Sequence, residues 1–200
     1  MNTKFALIFF LLLGSAIAQT AAPAQKPYEP ITAKERLNWF VKSTVGPQSL
    51  GGGLFSAAIG TARDKPVEYG SHWGGWADRY GMRLTGVSTG NAMEAGLGAI
   101  WGEDPRYFQS KDRTIKGRIL NSVVMTFEAR QRDGNFGPAY ARFVATPGNN
   151  FLSNTWRADS EANSKDAALR TLWGFLGRMG GNAFQEFWPD VQKHVLHRKK

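Results

Sequence analysis

The chain has 200 residues, 23 glycines and no cysteine, and its formal net charge is +9 at pH 7. The length fits one ordinary domain, and the lack of cysteine excludes thiol nucleophiles, thiolate metal sites and thiol redox chemistry. Outside the cytoplasm, a positive charge of this size attracts phospholipid head groups, glycans and other envelope polymers without selecting among them.

Residues 1–18 predict a secretory signal peptide. Lys4 supplies a positive start, residues 5–13 are apolar, and Ala16-Ile17-Ala18 has the small residues that a signal peptidase reads. The apolar run is shorter than the ~20 residues that cross a bilayer. We therefore expect cleavage after Ala18 and export to the periplasm or the cell exterior, either peripheral to a membrane or free. A Pro-rich linker is predicted over residues 19–30, a helical domain over 31–196, and a basic tail over 197–200.

The domain is predicted to be all-α, a single bundle of five or six helices. Thr32 and Glu35 form a capping box that begins the first helix, and Gly46-Pro47 ends it. Helical spacing and stop signals predict further helices over residues 47–63, 71–102, 114–130, 138–145, 164–187 and 190–196. Pro147-Gly148 is expected to close the helix over 138–145, and Pro189 to start the last helix.

Small residues recur at a spacing of four on three of these helices. The rows consist of Gly52, Ser56 and Gly60; Gly86, Gly90, Gly98 and Gly102; and Gly177 and Gly181. Each glycine costs about 1 kcal/mol of helix propensity relative to alanine, and we expect close packing of neighbouring helices to offset that cost. Charged residues on the third and last long helices favour soluble packing over membrane insertion.

In the second row, the spacing of four would place a glycine at position 94, but the residue there is Glu94. Against a partner helix its carboxylate would be desolvated and would need a cation. Arg83 lies too far along the same helix, so Arg178 or Arg170 is the expected partner. We interpret this arrangement as a structural ion pair, and Glu94, Arg83 and Arg178 are the candidate catalytic residues of the alternative, an enzyme.

Trp73 and Trp76 share a helix face and are candidate binding residues, since tryptophan beside cations suits membrane interfaces and glycan stacking. Most of the seven tryptophans are nevertheless expected to fill the core. Asn149 and Asn150 either bind a ligand or cap and turn the chain.

Asp190, His194 and His197 follow one helix face at i, i+4 and i+7 and are candidate metal ligands. The basic tail beside them repels a cation, and no cofactor is expected. The chain lacks both the G-x-S-x-G motif of serine hydrolases and the phosphate loop of nucleotide-binding proteins.

Three segments resemble an uncharacterised family of secreted bacterial proteins. They are GMRLTG at 81–86, GEDPRYF at 102–108 and PGNNFLSNTW at 147–156. The resemblance covers most of residues 31–195 and implies no mechanism.

The glycine-rich helix that leads into Gly102 and Arg106 is also similar in outline to the first motif of the helical PAP2-type acid phosphatases, where a lysine and an Arg-Pro pair hold phosphate. Leu97 stands at the place of that lysine, Asp104 at the place of the arginine, and Phe184 at the place of a later histidine. The resemblance therefore implies a catalytically empty relative.

These observations lead to two hypotheses. The first is a non-enzymatic, exported helical protein that associates with the envelope through an anionic component or a membrane surface, with no nucleic-acid partner. The second is an envelope hydrolase with a degenerate PAP2-like fold that acts on a phosphorylated or glycan substrate. A concave pocket that holds Glu94 among converging polar groups would favour the enzyme, and a solid core there would favour the binding protein.

Overall fold

The structure, a computed structural model, describes residues 28–196. The predicted signal peptide, most of the predicted linker, and the basic tail with His197 lie outside the described residues. Within them the protein is an all-α, single-domain bundle of six α-helices, α1 Ala33–Val45, α2 Pro47–Ala62, α3 Trp73–Trp101, α4 Ile115–Phe127, α5 Tyr140–Leu152 and α6 Ser164–Leu196.

Local signals set several helix ends as predicted. Thr32 Oγ1 accepts the backbone N–H of Glu35, and the Glu35 side chain accepts the N–H of Thr32, which completes the capping box. Gly102 ends α3 in a left-handed conformation, φ 80°, where glycine avoids the steric cost of a side chain.

Two of the predicted helix boundaries at prolines are wrong, the end at Pro147-Gly148 and the start at Pro189. α5 continues through Pro147 to Leu152, and α6 runs unbroken through Pro189. A proline removes one intrahelical hydrogen bond, but α5 packs along α3 and α6, and α6 packs along α4. These contacts hold each helix together past its proline.

The predicted fourth helix ends three residues early. Strands β1 Glu128–Arg130 and β2 Phe136–Pro138 form a short antiparallel hairpin in which Ala129 pairs with Gly137. Residues 131–135 connect the two strands. The hairpin leads the chain from α4 into α5.

The side chains that the fold buries are small or polar. The buried apolar residues are six alanines and Met125, whereas the buried polar residues include Arg79, Glu94, Arg142 and Glu186. Large apolar side chains are exposed on all six helices, for example Leu37 on α1, Phe55 on α2, Trp101 on α3, Ile119 on α4, Phe151 on α5 and Leu172 on α6.

The tryptophan prediction is therefore wrong. None of the seven is buried, and Trp73, Trp101, Trp173 and Trp188 are exposed. Helical spacing identified the apolar faces but did not predict that they face outward.

Exposed charged residues have a restricted distribution in the described part of the chain. Each lies in a loop or within the first or last six residues of a helix, as with Lys42 near the end of α1 and Lys116 near the start of α4. Away from the helix ends, the charged side chains Arg83, Glu94 and Arg178 point into the bundle. Judged by length and hydropathy, no helix among residues 28–196 could span a membrane.

Candidate functional site

A cleft of about 700 Å³ lies among α2, α3, α5 and α6. We call it the arginine cleft, because six cations and two carboxylates line it. They are Lys65, Arg79, Arg83, Arg157, Arg170, Arg178, Glu94 and Glu161. The cleft brings together five residues that the sequence singled out separately, namely Glu94, Arg83, Arg178, Asn149 and Asn150.

The small-residue rows make room for this cleft. Gly52, Ser56 and Gly60 on α2, Gly86 and Gly90 on α3, and Gly174 and Gly177 on α6 all line it. A Cβ at Gly90 would lie 3.1 Å from Asn149 Nδ2, and one at Gly60 would lie 2.9 Å from Arg79 Cδ. Gly60 and Gly90 thus lie at helix contacts, where polar side chains of the neighbouring helix occupy the space.

Glu94 is held by two guanidinium groups at the end of the cleft. Its Oε1 accepts Arg142 Nε at 2.9 Å, and its Oε2 accepts Arg178 Nη2. Burial lowers the pKa of Arg178 to about 10, with Glu94 acting in the opposite direction, so Arg178 is still a cation at neutral pH. A carboxylate with both oxygens in charge-assisted hydrogen bonds is poorly placed to act as a general base.

Sequence reasoning missed Arg142, which is buried on α5. Its Nη1 donates to the carbonyls of Met125 and Thr126, each at 2.9 Å, at the end of α4. Arg142 therefore joins Glu94 of α3 to the C-terminal end of α4. Ala141 and Ala145, which are both buried, lie beside it on α5, and this combination of small residues with a charge was the available signal for an inward face.

Two arginines of the cleft contact only neutral oxygens. Arg83 Nη1 donates to the Ser49 carbonyl at 3.0 Å, and burial lowers the pKa of Arg83. Arg170 donates to the carbonyls of Glu161 and Asn150 and to Asn154 Oδ1. Burial, and then the charge of Arg157, lower the pKa of Arg170.

Two buried polar atoms of the cleft have no hydrogen-bond partner within the described residues. They are Arg170 Nε, a donor, and Asn149 Oδ1, an acceptor. Asn150 differs, because its Nδ2 donates to the Thr146 carbonyl. Both asparagines belong to the last turn of α5, so they lie within a helix and face the cleft rather than turning the chain.

Trp73 and Trp76 lie away from the cleft, at the start of α3. Their rings stack at 4.9 Å, and Trp76 stacks on Tyr80 at 5.5 Å. Trp73 is 79% exposed. The three rings form an aromatic ladder, defined as Trp73, Trp76 and Tyr80, that reaches the surface.

Two of the three predicted metal ligands, Asp190 and His194, make other contacts. Asp190 Oδ2 binds Arg118 Nη1, and His194 Nδ1 lies 2.8 Å from the Asp190 carbonyl. Within residues 28–196, no cluster of three histidines or carboxylates is arranged to hold a metal ion.

A second cleft, of about 730 Å³, lies between α1 and α6 and shares Arg178 with the arginine cleft. The second cleft is lined by four cations, Lys42, Arg106, Arg142 and Arg178, and by the carboxylate of Glu35, and two of the cations already bind carboxylates, Arg106 that of Asp104 and Arg142 that of Glu94. The arginine cleft therefore has the larger excess of positive charge.

No protein-family model, curated protein or solved structure matches the chain. Its similarity to the PAP2-type phosphatases stays a prediction.

Proposed function

We propose that this protein is an exported, non-enzymatic helical protein that associates with the cell envelope by placing its apolar outer surface against lipid acyl chains. The observation that carries the proposal is the reversed distribution of side chains. Charged and small residues fill the bundle, and large apolar residues cover the outside of every helix in the described chain.

Covering this apolar surface would lower the free energy of the protein. Burying one large apolar side chain contributes about 1.5–3 kcal/mol, and 29 large apolar residues are exposed. A contiguous apolar surface on a protein marks a contact with another protein or with a membrane. The apolar residues surround the bundle. Lipid therefore covers more of them than a single protein partner, which would contact one side only.

Charge and aromatic placement support the same proposal. The exposed charges lie at helix ends and in loops, where head groups and water can solvate them. Removal of Lys4 with the signal peptide would lower the formal charge from +9 to +8, which still complements anionic phospholipids. The aromatic ladder at the start of α3 has the ring types that concentrate at membrane–water interfaces.

The hydrolase hypothesis draws support from the arginine cleft, which is concave and holds Glu94 among converging polar groups. Its two carboxylates are both engaged, however. Glu94 binds Arg142 and Arg178, and Glu161 Oε2 lies 3.3 Å from Arg157 Nη1. No histidine lines the cleft in the described chain. The cleft is thus better suited to binding than to proton transfer.

The proposal is tested by fractionating cells that express the full chain. Mass spectrometry of the mature protein should find an N-terminus near Gln19. Membranes should retain the protein through a high-salt wash and release it in detergent, because an apolar contact is not screened by salt. Release by salt alone would instead assign the association to the basic surface.

A protein free in the soluble fraction would contradict membrane association. Cross-linking would then show whether other copies of this chain cover the apolar faces. For the hydrolase hypothesis, a phosphatase or glycosidase activity of the wild type that is lost in Glu94→Gln, while circular dichroism shows the variant to be folded, would favour the enzyme.

A further inference from the structure

The charges of the arginine cleft do not balance within the described residues. Arg142 and Arg178 share the single carboxylate of Glu94, and Arg157 faces Glu161. The guanidinium group of Arg79 is engaged within the fold, since it donates to the carbonyls of Lys65, Pro66 and Gly70. Arg83 and Arg170 have no carboxylate within salt-bridge distance. Among the arginines that line the cleft, the charges of Arg83 and Arg170 therefore lack a counter-charge.

The arginines of the cleft come from α3, from α6 and from the segment between α5 and α6. Arg83 is about one turn from Gly86 on α3, and Arg157 Nη2 is 4.0 Å from the position that a Cβ of Gly86 would take. Arg170 binds the carbonyl of Glu161, whose carboxylate binds Arg157. Arg178 follows Arg170 by eight residues, which is about 12 Å along α6. The spacing suits an elongated ligand more than a single small ion.

The unpartnered polar atoms point to a ligand independently of the charge count. Arg170 Nε is a buried donor and Asn149 Oδ1 a buried acceptor, and both line the cleft. A buried polar atom without a partner costs about 1–3 kcal/mol. An anionic oxygen and a hydroxyl would satisfy these two atoms.

Phosphate fits these features better than carboxylate. A phosphate monoester carries a charge of about −1.5 to −2 and three acceptor oxygens, whereas a carboxylate carries one charge. The planar fork of arginine matches phosphate oxygens in pairs. The volume of about 700 Å³ also exceeds what a bare phosphate needs and lies in the range of organic ligands.

We propose that the arginine cleft binds a phosphate-bearing organic ligand with at least two negative charges. This site is separate from the apolar surface, so it stands whether or not that surface contacts lipid. The ligand is either a soluble phosphate ester or the head group of a phospholipid, because both present the same oxygens to the arginines.

The test is calorimetric titration of the full chain in a neutral maltoside detergent at low salt. The probes are glycerol 3-phosphate, inorganic pyrophosphate, dihexanoyl phosphatidic acid and the dicarboxylate succinate. We expect phosphate probes to bind more tightly than succinate. Tighter binding of glycerol 3-phosphate or pyrophosphate assigns a soluble ligand, and tighter binding of the phosphatidic acid assigns a lipid head group.

Matched variants localise the binding. Arg83→Gln and Arg170→Gln should each weaken it about tenfold or more, which corresponds to one charge-assisted hydrogen bond. Arg113→Gln makes the same charge change at an exposed position outside the cleft and should leave the Kd unchanged.

A second pair of variants adds bulk and removes no cation. A Cβ at either Gly177 or Gly180 meets no atom within 4 Å, but only Gly177 lines the cleft. Gly177→Leu should weaken binding by occupying the cleft, and Gly180→Leu should not. The proposal is overturned if folded wild-type protein binds no phosphate probe, if succinate binds as tightly, or if each control variant weakens binding as much as its partner in the cleft.

Discussion

Arg142 Nε donates to Glu94 Oε1 across 2.9 Å, with the two side chains only 2% and 4% exposed. The pair links α3 to α5, and Arg178 adds α6 through the other carboxylate oxygen. A charged triad thus occupies a position that large apolar residues fill in most soluble bundles.

Removing the carboxylate should leave two guanidinium groups without a counter-charge. We expect Glu94→Gln to lower the free energy of unfolding by about 3–5 kcal/mol, the usual cost of breaking a buried pair. Denaturant titration in detergent measures the change. Asp78→Asn, at an exposed position of α3, should change stability by less than about 0.5 kcal/mol. Equal effects of the two variants would show that the triad does not stabilise the bundle.

Glu103 should make stability depend on pH. Its Oε2 accepts the N–H of Ala141 at 3.0 Å, while its Oε1 is buried without a partner in the described chain. Burial raises its pKa above the ordinary value of 4.5, Glu94 acts in the same direction, and Arg142 opposes them. Because the folded state holds this proton more tightly, the stabilising contribution is complete below 4.5 and is lost as pH rises through the folded pKa.

Glu103→Gln imitates the protonated side chain at every pH. Its stability relative to wild type should therefore increase as pH rises from about 4 to about 8. Unfolding midpoints of both proteins across that range provide the measurement. A difference that does not change with pH would exclude Glu103 as the source.

The outward apolar surface makes a prediction about partition into membranes. Phe55 is 70% exposed on α2, which has no charged residue. If the apolar surface contacts lipid as proposed, Phe55→Gln should reduce binding to anionic vesicles and leave the helix content unchanged, because the exposed ring is not part of the core. Vesicle co-sedimentation and circular dichroism measure the two effects.

Ala62→Gln introduces the same side chain at the exposed end of α2 and serves as the control. If both variants bind vesicles as the wild type does, then Phe55 does not contact lipid.

Replacing either of two glycines of α3 with alanine should change the stability of the protein, in opposite directions for the two positions. A Cβ at Gly75 would lie 2.0 Å from the Tyr69 carbonyl oxygen and 2.3 Å from that of Gly70, whereas a Cβ at Gly81 meets no atom within 4 Å. Gly75→Ala should destabilise the protein by about 2 kcal/mol or more, since backbone must move. Gly81→Ala should stabilise it by about 0.5–1 kcal/mol through helix propensity. Thermal unfolding separates the two, and similar shifts would contradict the close approach at Gly75.

Several features of the candidate site could be read from the sequence. The interruption of a glycine row by Glu94 indicated a desolvated carboxylate, and Arg178 was one of two expected partners. Arg142 could not be found in that way, because its spacing on a short helix resembles that of any solvated arginine. The meeting of Arg83, Asn149 and Arg178 in one cleft depends on how α3, α5 and α6 pack, which no local pattern records.

The sequence by itself determined where the helices begin, to within two residues, and where the first three of them end. Capping at Thr32, the stop at Gly46-Pro47 and the left-handed Gly102 are interactions within a few residues, and they hold in any packing. The tertiary structure alone decided which face of each helix is inside. A helical period marks an apolar stripe but does not say what covers it, so the pattern is the same whether the stripe packs in a core or faces lipid. The inward direction follows the buried charged residues, since Glu94 pairs with Arg142 and Arg178 inside the bundle and Arg142 also donates to carbonyls there.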